Sequence, residues 1–168
     1  GFGRANNAAL EQVKTPHALL INPDAVIQPQ EFEKLLAAAE RYPEAGIIAP
    51  MLCDEEGHAH KTYKRSVFAR ESSRDTYIEP EGDLCADFLS GAVWLANMKH
   101  WRAAGFFDPN IFLYYEDDDM CLRLRKAGHS LVLTPDALAL HLMGASSGYQ
   151  SLEADFFKQK HLIYSRLY

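Results

Sequence analysis

Cysteine is scarce in this chain, and none of it sits at a spacing that a metal or a redox pair would need. Cys53, Cys85 and Cys121 form no CxxC pair; they read as reduced, mostly buried thiols of a cytosolic protein. No apolar run reaches the ~18 residues of a membrane-spanning helix, and the first residues do not read as a signal peptide. Cationic charge is short as well: 17 Lys and Arg stand against 23 Asp and Glu, for a net charge of −6. That balance argues against nonspecific binding to nucleic acid. It does not exclude a phosphate-bearing ligand, because a metal or a local basic group can hold one. There is no internal repeat, P-loop, zinc spacing or nucleophile elbow. The chain opens on Gly1-Phe2-Gly3 with neither an initiator Met nor a strand before it, so it reads as a piece of a longer protein.

What is present is a globular composition. The 168 residues are 48% apolar, enough for one domain with a real core. The stretch that organises the rest is Phe106 to Gly128. There an aromatic run, Phe112, Tyr114 and Tyr115, leads into four acids, Glu116, Asp117, Asp118 and Asp119. Met120, Cys121, Leu124 and Ala127 follow at helical spacing, and Gly128 is placed to end the helix. The acids thus fall at a helix entrance, where free N–H groups and the dipole favour negative charge. One of them is expected to cap. A carboxylate there, at the edge of a cleft, could take a proton or hold a metal. The plainer alternative is a cap with extra acids in the first turn.

Other segments read in chain order. Residues 4–13 are expected as a helix entered through a Gly/Asn loop, whose glycines allow close approach and whose helix entrance can meet an anion. Ala18 to Ile21 reads as a buried central strand stopped by Pro23, which leaves Asp24 at its carboxyl end, the ligand-binding edge of open α/β sheets. A turn aspartate is the competing account of Asp24. Residues 31–41 form an amphipathic helix between Pro29 and Pro43, and residues 46–52 a buried strand. Asp54 to Gly57 reads as a hairpin turn, with His58 and His60 solvated on its arm. Residues 66–83 exceed the usual connection length and suggest a functional loop; Arg65, Arg70 and Arg74 lie in or beside it. Ser90-Gly91-Ala92 is a turn that either brings amides to a cleft or simply packs. A strand over 93–96 and a helix over 98–104 ending at Gly105 come next. Strands 130–133 and 137–140 flank a turn at Thr134-Pro135-Asp136. His141 then faces a Gly/Ser loop at 144–148. A basic helix from Leu152 onward carries Phe156, Ile163 and Leu167 on one side. It is left open whether that helix docks on the core, packs on a missing part or lies near acidic lipid.

In order, the stretches GFGRANNAAL, LLINPDA, DFLSGAVWL, GFFDPNIFLYYEDDDMCLRLRKAG and HLMGASS resemble the glycosyltransferase family 2 enzymes, and among them the bacterial rhamnosyltransferase-like branch. Each motif is modest alone; five in order, from Gly1 to about Ser147, make a specific signal. The resemblance implies a GT-A α/β fold: a mixed central sheet flanked by helices, without the first strand-helix-strand unit that binds the nucleotide base. It implies a partial glycosyltransferase domain over residues 1–150, carrying the metal, acceptor and base half, and a basic amphipathic helix over 151–168.

The resemblance also implies roles. Asn22-Pro23-Asp24 falls where the family carries its Asp-x-Asp metal motif. Asn22 replaces the first acid and would contact substrate, while Asp24 and His141 would hold a divalent Mg or Mn. Glu116-Asp117 matches the Glu-Asp pair whose Asp is the base. Asp119 would help Glu116 orient the acceptor or hold the helix start, and Ser90, Gly91 and Ala92 would line the approach of the sugar. The implied reaction is inverting transfer from a nucleotide-diphosphate sugar to a glycan or lipid-linked acceptor, in the cytoplasm or at the inner face of the membrane. A carboxylate ionised at neutral pH suits the base, and a hard cation suits the diphosphate. Absent amino-terminal strands would leave sheet edge and apolar surface exposed, which leaves open a homodimer and a peripheral membrane contact. The competing expectations are a truncated domain that binds metal or carbohydrate without turnover, and a nucleotidyltransferase, for which Gly1 to Arg4 is a poor phosphate loop.

Overall fold

The computed structural model describes residues 1–60, 62–64, 80–142 and 152–168, apart from the side chains of 152–155. The long loop predicted over 66–83 falls almost wholly outside the described residues, as do Arg65, Arg70, Arg74 and the 144–148 loop. A mixed sheet forms the centre. Its order is β1 (His17–Ile21), β7 (Val93–Asn97), β3 (Ala45–Cys53), β8 (Ser130–His141) and β2 (Ala25–Ile27), with β5 (Leu84–Ala86) also paired to β8. The β3–β8 pair is parallel and the others are antiparallel. A small second sheet joins β4 (Tyr63–Lys64) to β6 (Phe88–Leu89).

The helices cover this sheet as their apolar spacing dictates. α2 (Pro29–Arg41) has Pro29 in its first turn and buries Leu35, Ala38 and Ala39 against Ile48, Leu95 and Val132. α3 (Met98–Ala104) is capped by the Asn97 side chain and stopped by Gly105 at φ 75°. Trp101 is fully buried, stacks edge-on against Trp94 and Phe107, and donates its indole N–H to the Gly46 carbonyl at 2.9 Å. α4 (Glu116–Lys126) buries Met120, Cys121 and Leu124 and ends before Gly128 at φ 88°. Of the three thiols only Cys121 is buried; Cys85 is exposed, against the expectation of mostly buried cysteines.

Three expectations need correction. β1, read as a buried central strand, lies at the edge of the described sheet: among the described strands it pairs only with β7, and Leu19 and Ile21 are exposed on one face. A short apolar run cannot by itself tell a sheet's middle from its edge. The turn at Thr134-Pro135-Asp136 is a bulge inside one continuous strand, since Pro50 pairs with Thr134 and Met51 with Leu138. Helix α2 clamps it: Glu31 accepts the Leu138 N–H at 2.8 Å, and Lys34 donates to the Asp136 carbonyl at 2.7 Å.

The first helix, α1, runs Phe2–Leu10, earlier than expected. Its glycines pack closely against protein. A Cβ on Gly3 would stand 2.9 Å from the Phe107 Cβ, and one on Gly1 would stand 2.1 Å from the Phe112 carbonyl oxygen. Asn7 grips Phe107 from both sides, donating to its carbonyl at 2.8 Å and accepting its N–H at 3.0 Å. Sequence analysis missed this function of the opening motif: it docks the loop that leads to the acidic run.

Candidate active site

The acidic run is reached through backbone of an unusual kind. Tyr114 and Tyr115 both lie in the left-handed region, at φ 65° and 66°. Tyr115 occupies the N-cap position and no side chain caps the helix, contrary to the expectation that one acid would. The reversal through two left-handed residues places an aromatic where a capping oxygen would sit. All four acids instead fall in the first turn.

Asp117 is the enclosed member. Its Oδ1 accepts the Asp118 N–H at 3.0 Å and its Oδ2 accepts the Gly91 N–H at 3.4 Å. Burial, followed by the charges of Asp118 and Glu116, pushes its carboxyl up to about 7, against the pull of those two amide bonds. The ordinary carboxylate assumed from sequence would be wholly ionised at neutral pH; here both forms coexist. A base poised near ambient pH has the best compromise between ionisation and driving force. Burial also raises Glu116 above the usual carboxylate range, and its Oε2 is buried with no partner among the described residues.

The Ser90-Gly91-Ala92 turn joins this acid to the sheet. Ser90 N–H donates to Thr62, Gly91 N–H to Asp117, and the carbonyl of the buried Ala92 accepts from Asn22 N–H at 2.8 Å. A Cβ on Gly91 would lie 3.3 Å from the Asp117 Cβ and 3.8 Å from the Trp94 ring. Gly91→Val should therefore displace the carboxylate and lower kcat at least about tenfold while KM changes little. Steady-state kinetics on a variant with an unchanged circular dichroism spectrum would check this.

From Asn22 a tight turn, with Ala25 N–H on the Asn22 carbonyl, carries the chain past Asp24. Asp24 lies against the end of β8: Leu142 N–H donates to its carbonyl at 2.9 Å, and its Oδ1 is 3.5 Å from His141 Nε2. Both side chains are largely buried, and His141 Nδ1 and Asn22 Oδ1 are buried without partners among the described residues. Two ligands about 2.1 Å from one cation stand roughly 3.0–3.4 Å apart. Asp24 Oδ1 and His141 Nε2, at 3.5 Å, stand just beyond that span, and they are donors of the kind a hard to borderline divalent ion takes. Bonded steps run from Asp117 through Gly91, Ala92 and Asn22 to Asp24.

Comparison with known proteins decides the family. The description "Glycosyltransferase like family 2" matches residues 1–159 of this chain. The chain belongs to that family. The N-acetylglucosaminyl-diphospho-decaprenol L-rhamnosyltransferase of Mycobacterium tuberculosis is 29% identical over 148 residues, covering 77% of this chain and 48% of that protein. Rhamnosyltransferase WbbL of Escherichia coli is 27% identical over 159 residues, covering 84% of this chain and 60% of that protein. The chain thus spans about half the length of the curated relatives it matches. A solved structure of GalNAc-T7 with UDP, GalNAc and Mn2+ superposes with a TM-score of 0.62 at 13% identity, covering 84% of this chain and 30% of that one. The likeness shows the fold, which is GT-A.

Within this family 2 domain, the structure bears on the two roles offered for Asp119, orienting the acceptor or holding the helix start. The Asp119 carboxylate is taken up by Arg123, at 2.8 Å from both Nε and Nη2, so it braces the helix. Arg123, which sequence analysis passed over, also donates to the carbonyls of Ala104, Gly105 and Phe106. The Asp-to-Arg spacing of four was the available signal. Two histidine-acid clusters, Glu44-His100-His129 and Asp54-Glu56-His58, also hold ligand-type atoms close together. Neither includes Asp24 or His141. His129 leads into β8 and His141 ends it, so the first cluster lies at the far end of that strand. There His100 Nε2 lies 3.2 Å from the Pro43 carbonyl oxygen and its ring packs on His129. In the second, His58 is solvent-exposed, as expected, and its Nδ1 lies 3.2 Å from Asp54.

Proposed function

We propose that this chain is the acceptor and base half of an inverting glycosyltransferase. It moves a sugar, rhamnose by the relatives' names, from a nucleoside-diphosphate donor to a hydroxyl of a glycan or lipid-linked acceptor. The supporting observation is the enclosed Asp117, poised near neutrality and linked by hydrogen bonds to the Asp24–His141 corner. In this reading Asp117 takes the acceptor proton as the acceptor oxygen bonds to the anomeric carbon from the face opposite the diphosphate. The carbon–oxygen bond to the diphosphate breaks, and the proton ends on Asp117. Glu116, whose buried Oε2 has no partner among the described residues, orients the acceptor hydroxyls, and the Gly91 N–H fixes the base. Asp24 and His141 would hold Mg or Mn, which supplies charge neutralisation for the departing diphosphate. Nucleotide sugar and acceptor would meet in the cytoplasm, at the inner face of the membrane.

The test uses the full-length protein with labelled nucleoside-diphosphate rhamnose and a lipid-linked acceptor. Transfer should stop in EDTA and return with Mn2+, and Asp24→Asn should need at least about tenfold more metal for half-activity. Transfer indifferent to both EDTA and Asp24→Asn would overturn the metal assignment. Metal binding with no transfer from any nucleotide sugar would favour the second reading, a carbohydrate- or metal-binding domain without turnover.

A further inference from the structure

The end of the sheet opposite Asp24 and His141 gathers two imidazoles and a carboxylate. One ring nitrogen each of His100 and His129 and one oxygen of Glu44 lie within 4.8 Å of one another. They come from three separate segments. His100 sits on α3, His129 precedes β8, and Glu44 stands in the loop from α2 to β3. β3 runs nine residues from Ala45, beside this cluster, to Cys53, which pairs with Leu140 next to His141. At about 3.3 Å per residue, that strand sets the cluster roughly 25 Å from the Asp24–His141 corner.

The surroundings hold the two rings and leave the carboxylate free. His100 is 4% exposed, and its ring packs on His129 at a centroid separation of 3.8 Å. Gly46 lets the pair close: a Cβ there would stand 3.3 Å from the His129 Cβ and 2.9 Å from Leu124 Cδ2. The backbone around Glu44 is pinned from α3 and its cap. Asn97 donates to the Pro43 carbonyl at 3.1 Å, and Trp101 donates to that of Gly46 at 2.9 Å. The Glu44 side chain, in contrast, is 80% exposed, with Oε2 3.9 Å from His100 Nε2.

An imidazole takes a cation only through an unprotonated nitrogen. Burial, then the charge of His100, pushes His129 below the ordinary histidine range; Lys99 adds to that shift, and the Glu44 backbone and carboxylate oppose it. His129 is therefore neutral at physiological pH, with a lone pair to give. The Pro43 carbonyl oxygen, 3.2 Å from His100 Nε2, is the competing partner for the other ring. Two imidazoles and one carboxylate suit Zn2+, whereas Mg2+ takes oxygen ligands. Ligands about 2.1 Å from one ion stand roughly 3.4 Å apart. The carboxylate, the least held of the three, has room to swing inward and close the spread.

We propose that Glu44, His100 and His129 bind Zn2+, with water in the fourth position. The ion ties the α2–β3 loop to α3 and to the start of β8. This site shares no residue with the Asp117–Asp24 corner, so it stands or falls independently of the proposed function.

The test is calorimetric titration of metal-free full-length Asp24→Asn with ZnCl2, in which the other corner is disabled. Zn2+ should still bind, with an affinity that rises with pH through the histidine range. Adding Glu44→Gln, at an exposed position, should weaken binding at least about tenfold with unchanged circular dichroism. Adding His129→Gln should remove it. Co2+ in place of Zn2+ should give the intense visible absorption of a four-coordinate site, and Glu44→Gln should lose that band. Unchanged Zn2+ affinity in either added variant, or no Zn2+ binding in Asp24→Asn, overturns the proposal. So does a Co2+ spectrum showing only the faint bands of six-coordinate oxygen ligation.

Discussion

Asp117→Asn in the full-length protein will lose about 10²–10⁴-fold in kcat, the range over which a positioned general base contributes. The same variant will be more stable than the parent above neutral pH. The wild-type carboxyl keeps its proton in the folded state to about pH 7, whereas an unfolded aspartate releases it near 3.8. Between those values the folded state binds the extra proton, so the favourable contribution is complete below about 3.8 and declines as pH rises toward 7. A shift of about three units corresponds to roughly 4 kcal/mol at most above pH 7. Asparagine cannot ionise and escapes that loss. Melting curves should show the variant several degrees higher at pH 8 and level with the parent near pH 4. In the wild type, kcat/KM should climb as pH rises through 7 and then level. An Asp117→Asn enzyme with full activity, or one equally destabilised at both pH values, would contradict this account.

Arg123→Ala should cost about 2–4 kcal/mol of stability and most of the activity, although no substrate contact is assigned to Arg123. Its guanidinium bonds the Asp119 carboxylate and three successive carbonyls, Ala104, Gly105 and Phe106. Removing it frees these acceptors at the end of α3 and unpairs an acid in the first turn of α4. The side chain is about one quarter exposed, 26%, so water replaces part of the loss and the figure stays below that for a fully buried pair. Lysine cannot reproduce the planar fork, so Arg123→Lys should recover less than half of the deficit in urea unfolding. Unfolding midpoints equal to wild type would show that the four bonds are incidental.

Much of the architecture could be read from the order of residues because the signals were local. The i, i+3, i+4 pattern after Pro29 marks α2, and Gly105 and Gly128 stop α3 and α4 with positive φ. What escaped depended on contacts far apart in the chain. Asn7 meets Phe107 across 100 residues, and nothing in GFGRANN announces that partner. Likewise, the run Ala18 to Ile21 does not disclose that its neighbour is β7. At the site, identities were legible through motif order, while ionisation was not. An aspartate next to two acids looks merely acidic on paper. Its burial, beside the charges of Asp118 and Glu116, holds the proton on against the pull of the Gly91 and Asp118 amides. The row of Phe156, Ile163 and Leu167 on the last helix, Leu152–Leu167, was visible as a pattern, but a pattern does not say which side of a helix its own domain will cover.

The two tyrosines that usher the chain into α4 carry a consequence for anyone engineering this domain. Each non-glycine residue in the left-handed basin forfeits roughly 1–2 kcal/mol, and here two stand side by side. Glycine at either place would relax the backbone, so a selection for heat tolerance will find Tyr114 and Tyr115 early. It would also loosen the hinge that aims the first turn. Directed evolution toward robustness and toward turnover should therefore diverge at these two codons.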